Sequence, residues 1–463
     1  MKKSFFLAVA AVAMTACSND VDLGMKDANK QTADNAIGFE VRNSNMSRAN
    51  LESAGHYNFG VFGYKNATTG EAAIMEDYLV GFNGTDASGK KVGYFFSDGQ
   101  TTNGDGSNAV PGLSKWAYEK LGKDSSTDYK YTGNEGYYKN GCDNPNDDDT
   151  YYMSNWANQF LRYWDKSTSW TNFYAYSPYY HSSDYENSKV SFDNNDHKMT
   201  FPAGYIQAGY NDVTKYEYLY AATSVENGQY RNDVALTFKH LNSKINITFY
   251  EEIEGYKVTM IDLVSGVGIS AAPSDLDDST DPDTYTYGTV YKSAGASLTF
   301  GSANNNTGDP TVAASNFTGT AYSNTEYIQF KKPTASFIAT NKPDAISKTE
   351  NYSPDTYYAI PKDNNTGLMF HVSFKLTNED TNETITVSNA TVYVPKANCN
   401  WKAGKWYRYI FKITKNTTGK TENPGTVDPA DPKPSDPALF PIVFDGIEID
   451  GWGTETDSDH NIN

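Results

Sequence analysis

The sequence has 463 residues, a formal net charge of −19 at pH 7, and 14% aromatic residues, including 36 Tyr and 23 Phe. The excess of negative charge argues against direct binding of nucleic acid or of anionic membrane surfaces. Aromatic and β-branched runs separated by polar turns predict an all-β fold, and an all-β chain of this length is typical of two domains.

The first residues have the layout of a secretory signal. Two lysines precede the apolar run 5–13, which is too short to cross a bilayer, and small residues lead to Cys17. This "MTAC" ending resembles the lipoprotein signals of bacteria, in which the cysteine becomes the lipidated first residue. The acidic residues Asp20 and Asp22 that follow resemble the surface-export signals of Bacteroidota lipoproteins. We therefore expect a signal peptide at 1–16, a lipid on Cys17 and a surface-exposed location at the outer membrane.

Strand-like segments follow in groups along the chain. The first is "AIGFEV" at 36–41, and a second follows after a polar stretch. The segment "SWTNFYAYSPYY" at 169–180 is typical of a buried strand, and 234–253 contains two alternating runs. A domain boundary just before this last segment predicts one β-sandwich domain at 49–230 and a second at 231–416.

The end of the chain, 417–463, combines a linker with one more strand. The Pro/Asp-rich linker favours an extended, semi-rigid conformation. In the run that follows, apolar residues alternate, slip in phase at Gly446 and continue on the other parity, which predicts a strand with a bulge or a bend. The apolar residues of this run are Phe440, Ile442, Phe444, Ile447, Ile449 and Trp452. The strand either folds back onto its own domain or belongs to another molecule, and the sequence leaves both alternatives open.

Cysteine use fits an exported protein. Once Cys17 carries lipid, Cys142 and Cys399 remain, and they lie far apart in the sequence. They either form a disulfide or stay as two isolated thiols in separate domains, which is the default expectation for such a distant pair.

Signals for catalysis or metal binding are weak. The segment "GTDASGKK" at 84–91 is similar to a phosphate-binding loop, but a lysine stands where the loop needs Ser or Thr, and a strand follows in place of a helix. The six histidines never pair at metal-ligand spacing, and the acidic loops at 143–150 and 275–283 lack the spacing of a calcium loop. We therefore expect no enzyme, no cofactor and no metal site.

A succession of segments resembles the fimbrillins, the type V pilus subunits of Bacteroidales. Behind Cys17 these segments are "AIGFEV", "SRA" at 47–49, "WTNFYAYSP" at 170–178, "LYAATS" at 219–224, "LTFKHLNSKINI" at 236–247 and "WKAGKWYRYIFKI" at 401–413. The resemblance implies a lipoprotein precursor with two transthyretin-like β-sandwich domains. It also implies an arginine-specific protease that removes the lipidated N-terminal segment with its first strand, after which a neighbouring subunit donates a strand to the vacated groove.

Carried onto this sequence, the resemblance places the cut after Arg48, so that the propeptide 17–48 is lost and Ala49 becomes the first residue. Arg42 is the alternative cut. Loss of "AIGFEV" would leave an apolar groove flanked by open strand edges, and the apolar tail residues are suited to fill it. The partners are then other pilus subunits, and the outer membrane is reached through the lipid of the precursor.

A rival hypothesis is an outer-membrane-tethered lipoprotein that binds glycans or host ligands and does not polymerise. The Tyr-rich region 95–235 carries four tryptophans, and aromatic side chains stack on sugar rings. These are Trp116, Trp156, Trp164 and Trp170. The alternative for the same side chains is ordinary sandwich core.

Overall fold

Strands are the dominant secondary structure of the residues that the computed structural model describes, which confirms the all-β fold predicted from the sequence. The structure describes residues 36–41, 58–67, 70–85, 91–93, 116–118, 162–179, 189–210, 216–230, 232–269, 289–301, 308–323, 328–330, 338–339, 356–363, 367–414 and 442–451. Within these stretches, no helix has the length and apolar character needed to cross a membrane.

The strands are numbered in chain order. The strands up to residue 240 are β1 (Phe39–Val41), β2 (Asn58–Ala67), β3 (Gly70–Thr85), β4 (Lys91–Gly93), β5 (Trp116–Ala117), β6 (Trp170–Ser177), β7 (Ser191–Asp193), β8 (Lys198–Gln207), β9 (Gly209–Tyr210), β10 (Leu219–Glu226), β11 (Val234–Leu236) and β12 (Lys239–His240). The later strands are β13 (Ser243–Glu252), β14 (Tyr256–Ile269), β15 (Tyr291–Thr299), β16 (Phe317–Ala321), β17 (Ile328–Phe330), β18 (Ile338–Ala339), β19 (Tyr357–Ala359), β20 (Gly367–Asn378), β21 (Thr384–Val394), β22 (Lys405–Thr414) and β23 (Ile442–Gly451). Short 3-10 turns lie at Asn227–Gln229, Ala314–Asn316 and Lys396–Asn398.

Seven strands form the central sheet, in the order β12-β10-β6-β2-β3-β4 with β5 paired to β3. Its strand β6 runs antiparallel to both β10 and β2, and all of its residues are buried. Because side chains alternate along a strand, Phe173 and Ala175 enter one hydrophobic core while Tyr174 and Tyr176 enter another. The central sheet is therefore covered on both faces, and the buried strand predicted within 169–180 is present as Trp170–Ser177.

A four-stranded sheet, ordered β16-β15-β8-β7, covers one face of the central sheet. Its residues Met199, Phe201 and Leu298 share a hydrophobic core with Tyr174 and Tyr176. Strand β8 precedes residue 231 and β15 follows it, so this sheet joins strands from both sides of the predicted domain boundary. The division of the chain at residue 231 stays a prediction.

Six strands form a second large sheet, named here the tail sheet, in the order β23-β22-β13-β19-β9 with β18 paired to β13. It packs against the four-stranded sheet β17-β14-β20-β21 around a single hydrophobic core. Strands β13 and β22 run parallel from Lys244↔Trp406 to Glu252↔Thr414. Strand β23 lies at the edge of the tail sheet and contacts β21 of the facing sheet, so it closes one side of this sandwich.

Candidate functional site

The first strand, β1, occupies a slot between two other parts of the chain. On one side it pairs in parallel with β11, with Phe39 opposite Val234. On the other side Ala36 forms an isolated antiparallel bridge with Tyr163. The strand predicted from "AIGFEV" is thus present, and it lies between two neighbours that are far from it in the sequence.

Three hydrogen bonds hold the backbone of Ile37 and Gly38 just before β1, in addition to the pairing of β1 with β11. The amide of Ile37 donates to the carbonyl of Arg162 at 2.8 Å, and the amide of Val234 donates to the carbonyl of Gly38 at 2.7 Å. The hydroxyl of Tyr118 donates to the carbonyl of Ile37 at 2.9 Å. Because this strand contributes only backbone atoms to these bonds, a different strand in the same place could make them too.

The side chains of the first strand belong to a hydrophobic core. Ile37 and Phe39 are each 2% exposed. The ring of Phe39 meets those of Phe59, Tyr118 and Phe173 edge-on, with centroid distances of 5.8, 5.6 and 5.8 Å. Loss of β1 would therefore uncover an apolar groove beside the open edge of β11.

One position of the slot favours glycine. A Cβ atom on Gly38 would lie 2.2 Å from Oδ1 and 2.9 Å from Cγ of Asp233. A side chain at this position would have to displace the carboxylate of Asp233, since real Cβ atoms do not approach other atoms so closely.

The last strand, β23, pairs antiparallel with β22 of its own chain, from Ile442↔Ile413 to Gly451↔Lys405. Of the two arrangements that the sequence left open, the structure has the one in which the strand returns to its own domain. In the tail sheet β23 is hydrogen-bonded on one side only, so it is an edge strand.

A bulge interrupts β23 where the apolar pattern slips in phase. Gly446 faces Ile410 while Phe444 faces Phe411, so Asp445 is the additional residue of the bulge. Gly446 has a φ of 148°, a backbone conformation that favours glycine. The predicted bulge is therefore confirmed, and it turns the apolar residues on both sides of it to the same core. These residues are Ile442, Phe444, Ile447 and Ile449.

The opposite face of β23 is acidic and contacts a buried arginine. Arg408 of β22 is 3% exposed. Its Nε and Nη2 atoms lie 3.1 and 2.9 Å from Oε2 of Glu448, and Nη2 lies 2.5 Å from Oδ2 of Asp450. The guanidinium also stacks on the ring of Trp406, 4.6 Å from the ring centroid. Two carboxylates of the last strand thus neutralise one cation of the neighbouring strand.

The predicted site residues divide into those that the structure describes and those that it does not. Ile442, Phe444, Ile447 and Ile449 lie together on one face of β23. The predicted residues outside the described part of the chain are Cys17, Arg42, Arg48, Ala49, Phe440 and Trp452. Lipidation, proteolytic processing and the ends of the donor strand therefore stay predictions.

The tryptophans of the rival hypothesis are mostly core residues. Trp116, Trp164 and Trp170 are buried, and Trp164 stacks on Tyr230 with a centroid distance of 4.6 Å. Trp156 lies outside the described residues. The three buried indoles do not form an open surface on which a sugar ring could stack.

Other ionisable side chains in the interior pair segments that are distant in the sequence. Nδ1 of His240 lies 2.8 Å from Oε1 of Glu217, and Nε2 of His197 lies 3.3 Å from Oε2 of Glu71. Cys399 is a free, buried thiol, and burial raises its pKa to about 11. Among the residues that the structure describes, no group of three or more His, Cys, Asp or Glu side chains could hold a metal ion.

Two residues of the site, Asp233 and Arg408, were missed by reasoning from the sequence. Arg408 lies in a strand whose Tyr407 and Tyr409 are buried, and a cation inside such an apolar run is a signal for a buried ion pair. Asp233 lies just before a short strand and carried no recognisable signal.

A model of the fimbrillin-like family matches residues 112–428, which is more than half of the chain. No match was found among curated proteins. A solved fimbrial protein from Bacteroides vulgatus is 15% identical over 90% of this chain and 99% of that chain, with a TM-score of 0.40. A candidate cell adhesion protein from Bacteroides uniformis is 12% identical over 91% of this chain and 100% of that chain, with a TM-score of 0.35. The chain belongs to the fimbrillin-like family.

Proposed function

We propose that this protein is a structural subunit of a cell-surface pilus and that its subunits assemble by strand exchange. The precursor is held at the outer membrane by a lipid on Cys17. A protease that cuts after Arg48 removes 17–48 together with β1. The tail strand of a neighbouring subunit then occupies the vacated slot, and adhesion follows from the display of the assembled fibre.

The slot of β1 is the observation that carries this proposal. The strand has only three residues, Phe39–Val41, yet it supplies core side chains. Its place is defined by backbone hydrogen bonds and by the open edge of β11, which are features that another strand can use. A core strand that lies before the proposed cut is therefore suited to be a temporary occupant.

The partly buried apolar side chains of the tail strand would be buried more deeply in such a slot than in its own domain. In its own domain Phe444, Ile447 and Ile449 are only partly buried, whereas Ile37 and Phe39 in the slot are almost fully buried. Full burial of a large apolar side chain contributes about 1.5–3 kcal/mol relative to exposure. The linker before β23 allows it to leave, because closing or opening a loop of this length changes the free energy by only a few kcal/mol.

The N-terminal residue of the protein at the cell surface tests the proposal. Surface material should begin at Ala49 and should run as ladders of oligomers. Arg48→Ala should block both processing and assembly, whereas Arg42→Ala is a matched control that should leave both unchanged. Cys17→Ala should remove the precursor from the outer-membrane fraction and prevent fatty-acid labelling.

Three results would contradict the proposal in different ways. Fibres built from chains that begin at Cys17 would exclude removal of the first strand. A surface protein that keeps its lipid and remains monomeric would instead favour the tethered receptor. Fatty-acid labelling of the Cys17→Ala variant would exclude lipidation at that residue.

A further inference from the structure

We propose that the tail strand enters the slot of the next copy in one register, in which Gly446 takes the place of Gly38. The three residues after Gly446, which are Ile, Glu and Ile at 447–449, then take the places of Phe39, Glu40 and Val41. This inference rests on the strand exchange proposed above. It adds that donor and acceptor are two copies of this chain, and it specifies which donor residues lie opposite which residues of β11 in the acceptor.

The two strands share a short pattern of residues. β1 lies in "GFEV" at 38–41, and β23 contains "GIEI" at 446–449. In both, a glycine precedes an apolar residue that faces a core, a glutamate that faces away from it, and a second apolar residue on the core side. Because strand side chains alternate, this register matches positions 38–41 of the slot by face and by chemistry.

Asp233 favours this register through the glycine, because any other residue at the Gly38 position has to turn the exposed carboxylate of Asp233 aside. A side chain at the Gly38 position must displace the carboxylate of Asp233, whose Oδ1 would lie 2.2 Å from the new Cβ. A shift of the donor by two residues would place either Phe444 or Glu448 at this position. Either side chain would have to turn the carboxylate of Asp233 aside, and Glu448 would in addition bring a second negative charge close to it.

The bulge of β23 extends the match by one more residue. Asp445 is the additional residue of the bulge, so Phe444 faces the same side as Ile447. If the bulge is kept in the slot, Phe444 reaches the position of Ile37, which is an almost fully buried residue. Without the bulge, Asp445 would fall on that apolar position at a large desolvation cost.

The remaining registers fit less well. A shift by one residue turns Glu448 toward the core and the two isoleucines away from it. The other glycine of β23, Gly451, would place Trp452 in the Phe39 position and Gly453 and Thr454 in the next two. That register fills the slot with one large side chain only, whereas the Gly446 register fills it with Phe444, Ile447 and Ile449.

The register defines which residues of two copies become neighbours. In the precursor Glu40 is paired with Ala235 of β11. After exchange Glu448 of the donor takes this place, and the donor runs parallel to β11 of the acceptor. Directly paired residues on adjacent strands lie within the Cα separation of about 4.4–6.8 Å that a disulfide requires. A shift by two residues adds about 6.6 Å along the strand and takes the pair out of reach.

Cysteine pairs in separate copies test this register. Full-length Ala235→Cys precursor is co-produced with full-length Glu448→Cys precursor, each with a different tag and with Cys142→Ser, in the bacterium that makes the protein. In the matched control, the donor carries Asp450→Cys and keeps Glu448. Each of the two donor variants loses one of the two carboxylates that pair with Arg408. After mild oxidation, the Glu448→Cys pair should form at least about tenfold more disulfide between differently tagged copies than the Asp450→Cys pair.

The outcomes separate the register from strand exchange itself. If the Asp450→Cys donor cross-links more than the Glu448→Cys donor, then strand exchange takes place in a different register and the proposed register is wrong. Oligomer ladders without either disulfide would show that the tail does not reach β11, which overturns the register. The absence of oligomers from the unsubstituted protein would contradict the pilus function and the register with it.

The acceptor residue gives a second, independent measurement. If Asp233 disfavours side chains at the Gly38 position, then Asp233→Ala should make the register shifted by two residues more favourable. In an acceptor with both Asp233→Ala and Ala235→Cys, cross-linking to Asp450→Cys should rise relative to Glu448→Cys. An unchanged ratio would overturn the role of Asp233 in selecting the register.

Discussion

Oε2 of Glu448 on β23 lies 3.1 Å from Nε and 2.9 Å from Nη2 of Arg408 on β22. Asp450 adds a second carboxylate at Nη2. Both acidic residues belong to the strand that would leave on exchange, while the arginine stays behind in a buried position. Since separating a buried charge from its partners is costly, these ion pairs hold the tail strand in its own domain.

Replacing Glu448 by Gln together with Asp450 by Asn should therefore loosen β23 while leaving its apolar face unchanged. We expect the pairing of β22 with β23 to weaken by about 1–3 kcal/mol, because each charge-assisted hydrogen bond to Arg408 becomes a weaker neutral one. Faster hydrogen exchange at the amides of β22 that face β23 would report this, and processed subunits should polymerise faster.

The matched control for this pair of substitutions is Glu383→Gln, because Glu383 is an exposed acidic residue in the turn between β20 and β21. It should leave both the hydrogen exchange of β22 and the rate of polymerisation unchanged. Unchanged exchange in the double variant as well would show that apolar contacts alone retain the strand.

A substitution in β1 should lower the stability of the precursor but should not change the stability of the processed, assembled subunit. Phe39→Ala removes a ring that packs among Phe59, Tyr118 and Phe173. The cavity should destabilise the precursor by about 3–5 kcal/mol. If β1 is cut off and replaced, the assembled protein no longer contains this residue, and its melting temperature should equal that of the unsubstituted fibre.

Phe59→Ala is the matched control for Phe39→Ala, since Phe59 lies after the proposed cut and remains in the fibre. It should lower the stability of the precursor and of the fibre alike. A fibre that is equally destabilised by Phe39→Ala would show that the first strand remains in place.

A buried lysine predicts a pH effect on stability. Burial lowers the pKa of Lys362 from 10.5 to about 8, and its Nζ lies 5.0 Å from the ring centroid of Trp401. Between these two values the unfolded chain binds more protons than the folded one, so this residue makes the free energy of unfolding rise with pH. The folded protein carries the cost of the buried charge in full below a pH of about 8.

Lys362→Met should therefore raise the free energy of unfolding at neutral pH and remove its increase between pH 8 and 9. Denaturant unfolding at pH 7, 8 and 9 measures both effects. Lys396→Met, at an exposed position, is the control and should change neither. A loss of stability in the Lys362→Met variant at neutral pH would mean that contact with the Trp401 ring outweighs the desolvation of the charge.

The features that the sequence predicted well are local. Alternation of apolar residues predicted β6 and β23, and the change of parity at Gly446 predicted the bulge, because face and phase are properties of a short run of residues. The match between "GFEV" and "GIEI" was likewise visible in the sequence, but it acquired meaning only when both strands had been placed against their cores.

The features that it did not predict depend on which distant segments meet. Nothing in "AIGFEV" indicates that it pairs in parallel with β11, or that Asp233 lies over Gly38. The pairing of β15 with β8 likewise crosses the predicted domain boundary. Such pairings are chosen by the free energy of the whole core, to which each short strand contributes little.

Removal of 417–463 separates a donor role of the tail from a purely structural one. In its own domain the tail contributes Ile442 as a buried side chain and three more that are partly buried. We therefore expect the truncated subunit to lose about 3–6 kcal/mol of stability in the second sandwich. The groove left by β1 lies in another part of the chain and should be unaffected.

The truncated subunit should then accept a strand without being able to donate one. After processing and mixing with unsubstituted subunits, it should join the end of a growing fibre and stop it, so that mean fibre length falls as its proportion rises. The full-length variant Ile447→Asp with Ile449→Asp should act in the same way, because two carboxylates cannot enter the apolar slot. Glu448→Gln in the same strand is the control and should still form long fibres. Normal fibres from the double aspartate variant would exclude β23 as the donor, and a truncated subunit that never joins a fibre would show that the tail serves only its own fold.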